Sequence, residues 1–286
     1  MFEGVSTALI TPFTQDDKID FAALEKLIAL QLKNGVTGFV LLGTTSEYPC
    51  LTHDEKLEIV KFVKKTAGNK AKIIIGAGTN CTKTTVELAK SFLPFEPDAF
   101  LIVNPYYNKP NPSGLLEHYK KVGELGTPII VYHIPGRTGL KVPVKVFADI
   151  VDKVPMIKAV KESDYDVTHL NNQAAMLSEK IEILCGNDDM FPYFMATNGK
   201  GIISVVTNCA PKIMTDIYKG NFKIYADNLK LMDACFYETN PTCVKYILSK
   251  QGLCRPDVRL PLGPVSQETR NKIDAVLSKT DKRLLL

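Results

Sequence analysis

The chain lacks the features that would place it in a membrane, an oxidising compartment or a nucleic-acid complex. No apolar run approaches the roughly 20 residues that cross a bilayer. The opening MFEGVSTALITPF has no basic segment leading into a long apolar stretch, so a cytoplasmic protein with no membrane partner is expected. The seven cysteines (Cys50, Cys81, Cys185, Cys209, Cys235, Cys243, Cys254) stand singly, without a C-x-x-C pair. Histidine is equally sparse and dispersed: His53, His118, His133 and His169. Reduced thiols and no metal site are therefore expected. A formal net charge of +4 over 286 residues is too small and scattered to suggest nucleic acid, although it leaves small anionic substrates open. Two cofactor signatures are missing as well. Gly76-Ala-Gly78 follows an apolar run, but Cys81 stands where a dinucleotide fingerprint needs its third glycine, and no phosphate-binding P-loop occurs. No cofactor is expected.

What is present is a rhythm. With 45% hydrophobic and 23% charged residues, the composition is that of a globular domain. Short apolar runs recur at Val5-Leu9, Gly38-Leu42, Lys72-Ile75, Ala99-Val103, Ile129-Tyr132, Ile157-Val160, Ile181-Cys185 and Gly201-Val206, lengths suited to strands buried on both faces. Between them Phe21-Leu32, Leu57-Lys65, Thr84-Phe92, Leu115-Leu125, Val144-Val151 and Val167-Leu177 carry helical periodicity. Thr52-His-Asp-Glu55 has capping-box spacing, and Gly35 suits a helix stop. About eight strand–helix units predict an α/β fold, a (β/α)₈ TIM barrel over residues 1–220. From 221 to 286 the strand rhythm stops. Ile224-Phe236, Pro241-Lys250 and Gln267-Leu277 read as helices of a C-terminal appendage packed on the barrel.

Barrel chemistry sits where strands run out into their following loops, and those ends are rich in polar residues: Gly43-Thr-Thr-Ser-Glu47, Gly76-Ala-Gly-Thr-Asn80, Asn104-Pro-Tyr-Tyr107, Tyr132-His-Ile-Pro-Gly-Arg-Thr-Gly139, Lys161-Glu-Ser163 and Gly186-Asn-Asp-Asp189. Lys161 is the most informative. It closes the run Met156-Ile-Lys-Ala-Val160, where a poorly hydrated amine can form a Schiff base without a cofactor. Taken alone it could also snorkel outward or pair with Glu162. Parity puts Ile157, Ala159 and Lys161 on one strand face and Lys158 on the other. Each neighbour has a bland alternative too. Thr44 and Thr45 could satisfy turn amides, Tyr107 and Tyr132 could be packing residues, and Arg137 could be a surface arginine. Asp188 and Asp189 are expected to cap the following helix. A Schiff-base enzyme, however, needs a proton shuttle and carboxylate donors, which tyrosine and threonine hydroxyls, turn amides and an arginine fork supply. Pyruvate suits a pocket built on Thr44 and Thr45.

Taken in order, Ala8-Leu-Ile-Thr-Pro12, Gly43-Thr-Thr-Ser-Glu47, Pro105-Tyr-Tyr-Asn108, Tyr132-His-Ile-Pro135, Val160-Lys-Glu162, Gly186-Asn-Asp-Asp189 and Gly201-Ile-Ile-Ser-Val205 resemble the pyruvate-dependent class I aldolases and lyases, the dihydrodipicolinate synthase / N-acetylneuraminate lyase family. The resemblance implies that Lys161 forms the imine with pyruvate and that Tyr132 is the general acid and base. It implies that Thr44 relays protons between Tyr132 and Tyr107, the latter reaching into a neighbouring subunit's site. Thr45 would bind the pyruvate carboxylate, with Gly186 and the Ile203 backbone shaping the imine pocket. Pro135-Gly-Arg-Thr-Gly139, Asn240-Pro241 and Arg259-Leu-Pro-Leu262 are similar to the synthase branch, in which an arginine at the Arg137 position holds the carboxylate of L-aspartate 4-semialdehyde. The implied reaction is condensation to 4-hydroxy-tetrahydrodipicolinate, in lysine and diaminopimelate biosynthesis. The alternative on the same scaffold is an aldolase or lyase of a 2-keto-3-deoxy sugar acid or N-acetylneuraminate. The resemblance also implies a homotetramer, a dimer of dimers.

Three positions depart from that pattern: Ser46 stands for a glycine, His133 for an asparagine, and Asp164-Tyr165 for a small segment. His53, Asn80 and Tyr106 match the family's regulatory lysine site, but Lys56 and Thr84 replace its usual histidine and glutamate. The lost glutamate removes a partner for lysine's ammonium group, so inhibition by L-lysine should be weak or absent in initial-rate assays across a lysine series.

Overall fold

In the computed structural model, which describes residues 1–285, eight parallel strands follow one another in sequence order around a closed barrel. They are β1 (Gly4–Ala8), β2 (Gly38–Leu41), β3 (Lys72–Gly76), β4 (Ala99–Val103), β5 (Ile129–His133), β6 (Ile157–Glu162), β7 (Glu182–Cys185) and β8 (Gly201–Ser204). Runs such as Ile73-Ile-Ile75 in β3 and Ile129-Ile-Val131 in β5 are buried throughout, because a parallel sheet is covered on both faces. Every expected strand is present, β4 with the expected ends and the others moved by one or two residues. The two-residue extension of β6 is instructive. Lys161 and Glu162 end the apolar run in sequence yet continue β6, paired with Tyr132 and His133 of β5. At the other end of β6 the register shifts, with Ile129 opposite Ile157 and Ile130 opposite Ala159. The ladder thus skips Lys158, and strict alternation holds only from Ala159 onward.

The helices obey their local signals. Thr52 accepts from the Glu55 amide (3.2 Å) and Glu55 accepts from the Thr52 amide (2.8 Å), and this capping box opens the helix His53–Ala67 one turn earlier than periodicity alone indicates. The helix Phe21–Lys33 stops at Asn34, followed by Gly35 at φ +82°. Three short helices escape the periodicity: Pro135–Thr138, Phe191–Ala196 and Pro211–Tyr218. Their apolar repeat is too brief to register. The expected caps at Asp188 and Asp189 require correction. Both lie inside the 3₁₀ turn Asp188–Met190, whose N-cap is Asn187, while Met190 precedes the helix Phe191–Ala196. The turn shifts the helix start by two residues. Among the described residues, no helix is long and apolar enough to cross a membrane.

Two compact units divide the chain. One comprises Met1–Glu3 and Lys72–Ile203; the other comprises Gly4–Ala71 and the chain from Ser204 onward. The second unit carries β1, β2 and the C-terminal helices Phe222–Ala234, Thr242–Lys250 and Gln267–Leu277. Within it the loop after β2 turns through the 3₁₀ segment Thr44–Ser46 into Glu47, a non-glycine residue held at φ 55°. Such a conformation costs about 1–2 kcal/mol, and buried contacts offset it. Glu47 and Lys245 form an ion pair at 2.5 Å with both side chains fully shielded. The other Glu47 oxygen accepts from the Arg259 amide at 2.8 Å. Lys245 also donates to the Asp257 carbonyl (2.9 Å) and lies 4.1 Å from the Phe13 ring centre. Arg259 covers the same ring at 4.4 Å and grips Glu55 through two bonds of 2.6 and 2.8 Å. Burial pushes the Lys245 ammonium below its ordinary pKa, while the Glu47 charge opposes that shift.

Removing one partner of a buried pair leaves the other charge uncompensated. Lys245→Met should therefore destabilise the protein by about 3–5 kcal/mol in urea unfolding, with Glu47→Gln in the same chain recovering part of the loss.

Candidate active site

Strand pairing determines which side chains meet in the first unit. Tyr132 sits opposite Lys161, and His133 opposite Glu162. Neighbouring residues of a strand point to opposite faces, so the pairs separate onto two sides of the sheet. On one side the Lys161 Nζ lies 4.4 Å from the centre of the Tyr132 ring. Lys161 is 5% exposed and Tyr132 7%, which removes the snorkelling alternative. Pairing with Glu162 is also excluded, because the Glu162 oxygens are engaged on the opposite face. The lysine amine is therefore buried beside a phenol, and among the described residues no carboxylate forms an ion pair with it. That is an arrangement for nucleophilic attack on a carbonyl, with proton transfer close by.

On the other side Glu162 accepts from His133 Nδ1 (2.7 and 2.8 Å), from Gln173 Nε2 (2.7 Å) and from the Asp164 amide (2.7 Å). His169 Nε2 stands 3.4 Å from it. His169 and Gln173 are four residues apart on the helix Val167–Leu177 and so share a face. Burial works to raise the Glu162 carboxyl. The hydrogen bonds from His133 and His169 outweigh it and bring the group down to about 2. His133, Glu162 and His169 place donor atoms within 4.8 Å of one another, so they are the group to test as metal ligands. Their fit is poor. The Val142 amide donates to His133 Nε2 (3.2 Å), which puts the ring proton on Nδ1, facing Glu162. A metal on Nδ1 would move that proton to Nε2, directly against the Val142 N–H.

Gly186 borders the lysine through close approach. A Cβ at this position would meet Ser163 Oγ at 2.0 Å, the Glu162 carbonyl at 2.8 Å and Lys161 Cε at 3.1 Å, so no side chain fits. Ile203, 1% exposed, lies in β8 near its carboxyl end. Arg137 is exposed in the one-turn helix Pro135–Thr138, and no ion pair engages it among the described residues. Tyr107 is 90% exposed at φ +72°. Asn80 and Tyr106 meet through Asn108, whose side chain donates to the Asn80 carbonyl (2.7 Å) and whose amide donates to the Tyr106 carbonyl (2.9 Å).

In the second unit Thr44 is half-buried, Thr45 is 3% exposed, and His53 opens its helix behind the Thr52 cap. Ser46 donates to the Leu9 carbonyl (2.6 Å) and its own carbonyl accepts from Thr11 Oγ1 (2.9 Å), so its hydroxyl is spent on anchoring the loop. Asp164 pairs with Lys141 at 2.9 Å, and Tyr165 donates to Asp189 at 3.1 Å. Sequence reasoning missed His169, Gln173, Asn240 and Lys245 as supports. The four-residue spacing of the first two and the Asn240-Pro241 motif were visible in the sequence, but not what these side chains touch.

Comparison with known proteins follows the same lines. The family model described as "Dihydrodipicolinate synthetase family" matches residues 1–280. The chain is similar to the 4-hydroxy-tetrahydrodipicolinate synthase of Chloroherpeton thalassium, 38% identical over 283 residues, covering 96% of this chain and 94% of that protein. It is likewise similar to the 4-hydroxy-tetrahydrodipicolinate synthase of Thermotoga neapolitana, 38% identical over 292 residues, with 98% and 99% covered. The crystal structure of dihydrodipicolinate synthase from Thermotoga maritima matches with a TM-score of 0.94 at 35% identity, covering 98% of each chain.

The lowered Glu162 carboxyl makes a pH prediction. A group whose pKa is depressed on folding stabilises the protein above its unfolded value, near 4.5, and that contribution fades as pH falls toward about 2. It amounts to roughly 3 kcal/mol. Urea unfolding should show Glu162→Gln less stable than the parent at pH 6, with the gap narrowing steadily from pH 5 to pH 3.

Proposed function

Because the chain belongs to the Dihydrodipicolinate synthetase family, we propose that it joins pyruvate to L-aspartate 4-semialdehyde, yielding 4-hydroxy-tetrahydrodipicolinate in lysine and diaminopimelate biosynthesis. The observation that carries the reading is the buried Lys161 amine set against the Tyr132 ring at 4.4 Å. The amine attacks the ketone carbon of pyruvate. Tyr132 delivers the proton that lets water leave, giving an iminium on Lys161. Loss of a methyl proton turns this into an enamine, whose carbon attacks the aldehyde of the second substrate. The amino group of the second substrate then attacks the imine carbon and displaces the Lys161 amine, closing the ring of the product and freeing the lysine. Binding both reactants in one site replaces a bimolecular encounter with an oriented one.

The remaining roles belong to the same proposal. Thr44 passes protons between Tyr132 and Tyr107, and Thr45 receives the pyruvate carboxylate. Gly186 and the Ile203 backbone bound the imine. Arg137, exposed and without an ion-pair partner among the described residues, supplies the fork for the semialdehyde carboxylate. Tyr107 supports a homo-oligomer, a tetramer built as a dimer of dimers, since an aromatic ring 90% exposed covers little of its own chain. His53, Asn80 and Tyr106 form the weakened regulatory set. The barrel over 1–220 holds the reaction, the appendage over 221–286 braces it, and the enzyme works in the cytoplasm.

Borohydride reduction in the presence of pyruvate should attach one pyruvate to Lys161 and none to Lys161→Ala; an unmodified parent enzyme would rule out the imine. Arg137→Ala should keep the adduct but raise KM for aspartate semialdehyde roughly 10- to 100-fold. An unchanged KM would point to a different aldehyde.

A further inference from the structure

Thr45 is held from behind by the C-terminal region. Asn240 Nδ2 donates to Thr45 Oγ1 at 2.9 Å, and the two residues are 9% and 3% exposed. A threonine hydroxyl has one proton and two lone pairs. With a lone pair taken by the amide, the proton cannot lie along that bond and stays available to another acceptor. The chain around Asn240 is held in place. The Lys245 amide donates to the Pro241 carbonyl (3.0 Å), and Thr242 Oγ1 donates to the Thr239 carbonyl (2.7 Å). Lys245 then pairs with Glu47 at 2.5 Å, two residues beyond Thr45. The amide and the hydroxyl it addresses thus belong to one clamped frame, tied at both ends by buried groups.

We infer that Asn240 is a positioning residue for substrate binding: its side-chain N–H orients the Thr45 hydroxyl as a donor toward the carboxylate of the 2-keto acid. The inference rests on the reading of Thr45 as the residue that receives that carboxylate. It gives a reason for an amide, rather than any other polar group, at this position. An aspartate there would offer only acceptor oxygens when ionised and would draw the Thr45 proton onto itself. An alanine would merely release it.

The test is a double-mutant cycle on the intact enzyme, reading KM for pyruvate, kcat and the thermal midpoint. Asn240→Asp should raise pyruvate KM about tenfold and exceed the effect of Asn240→Ala. In the Thr45→Val background, where there is no hydroxyl to orient, the same Asn240→Asp change should raise it less than about twofold. An equal rise in both backgrounds would mean simple charge repulsion and would overturn the inference. Should Asn240→Asp fail to fold, Asn240→Ala takes its place in the cycle: coupling to Thr45 of about threefold or more supports the inference, and strict additivity overturns it. If Thr45→Val alone leaves pyruvate KM unchanged, the carboxylate-binding reading of Thr45 falls, independently of Asn240.

Discussion

Alternation along two paired strands is the constraint on which the lysine site depends. Tyr132 and His133 are neighbours on β5, as Lys161 and Glu162 are on β6, and the register sets like against like. One residue of each strand faces the side where Lys161 meets Tyr132 and the next faces the helix Val167–Leu177. A slip by one residue would exchange the two sets. The lysine would enter the hydrogen-bonded cluster around the carboxylate, and the carboxylate would take the place of the amine beside Tyr132. Glu162 opposes such a slip. Its oxygens collect donors from a strand, a helix and its own following loop, bonds that a slipped register would break.

The loop after β2 is constrained by a different buried carboxylate. Glu47 holds a left-handed conformation that glycine would adopt more cheaply, and its two oxygens reach Lys245 and the Arg259 backbone. The C-terminal helices therefore do more than cover apolar surface. The helix Thr242–Lys250 delivers the cation that makes the burial of Glu47 tolerable, and the turn leading into it delivers the amide that addresses Thr45. A buried ion pair contributes little net stability compared with an apolar pair of the same shape; here it specifies the path of a loop.

The three departures from the family pattern have local explanations. The Ser46 hydroxyl is consumed by the Leu9 carbonyl, so the extra side chain reinforces the loop. His133 uses both ring nitrogens, one toward Glu162 and one from the Val142 amide, bridging three segments where a shorter amide would span fewer. Asp164 meets Lys141, which also holds Asp166, so the added charge is paired. Each new side chain is satisfied by a neighbour, and none of these bonds involves Lys161 or Tyr132.

Much of the protein was legible in one dimension. Apolar runs of strand length, helical periodicity and the Thr52–Glu55 cap are local properties, and they determined the alternation of elements and the barrel class. The ordered motifs around Lys161, Tyr132, Thr44 and Arg137 pointed to an imine-forming enzyme, because chemistry of that kind needs a particular set of groups. Short helices with proline in their first turn and the turn at Asp188 stayed hidden, since one or two turns carry too little of a period. Only the tertiary structure decided that β6 extends through Lys161 and Glu162, that Glu162 turns away from the lysine, and that Asn240 and Lys245 stand behind the Thr45 loop. Those facts depend on hydrogen bonds and ion pairs between residues up to 198 positions apart, whose energies arise from burial that no local pattern encodes.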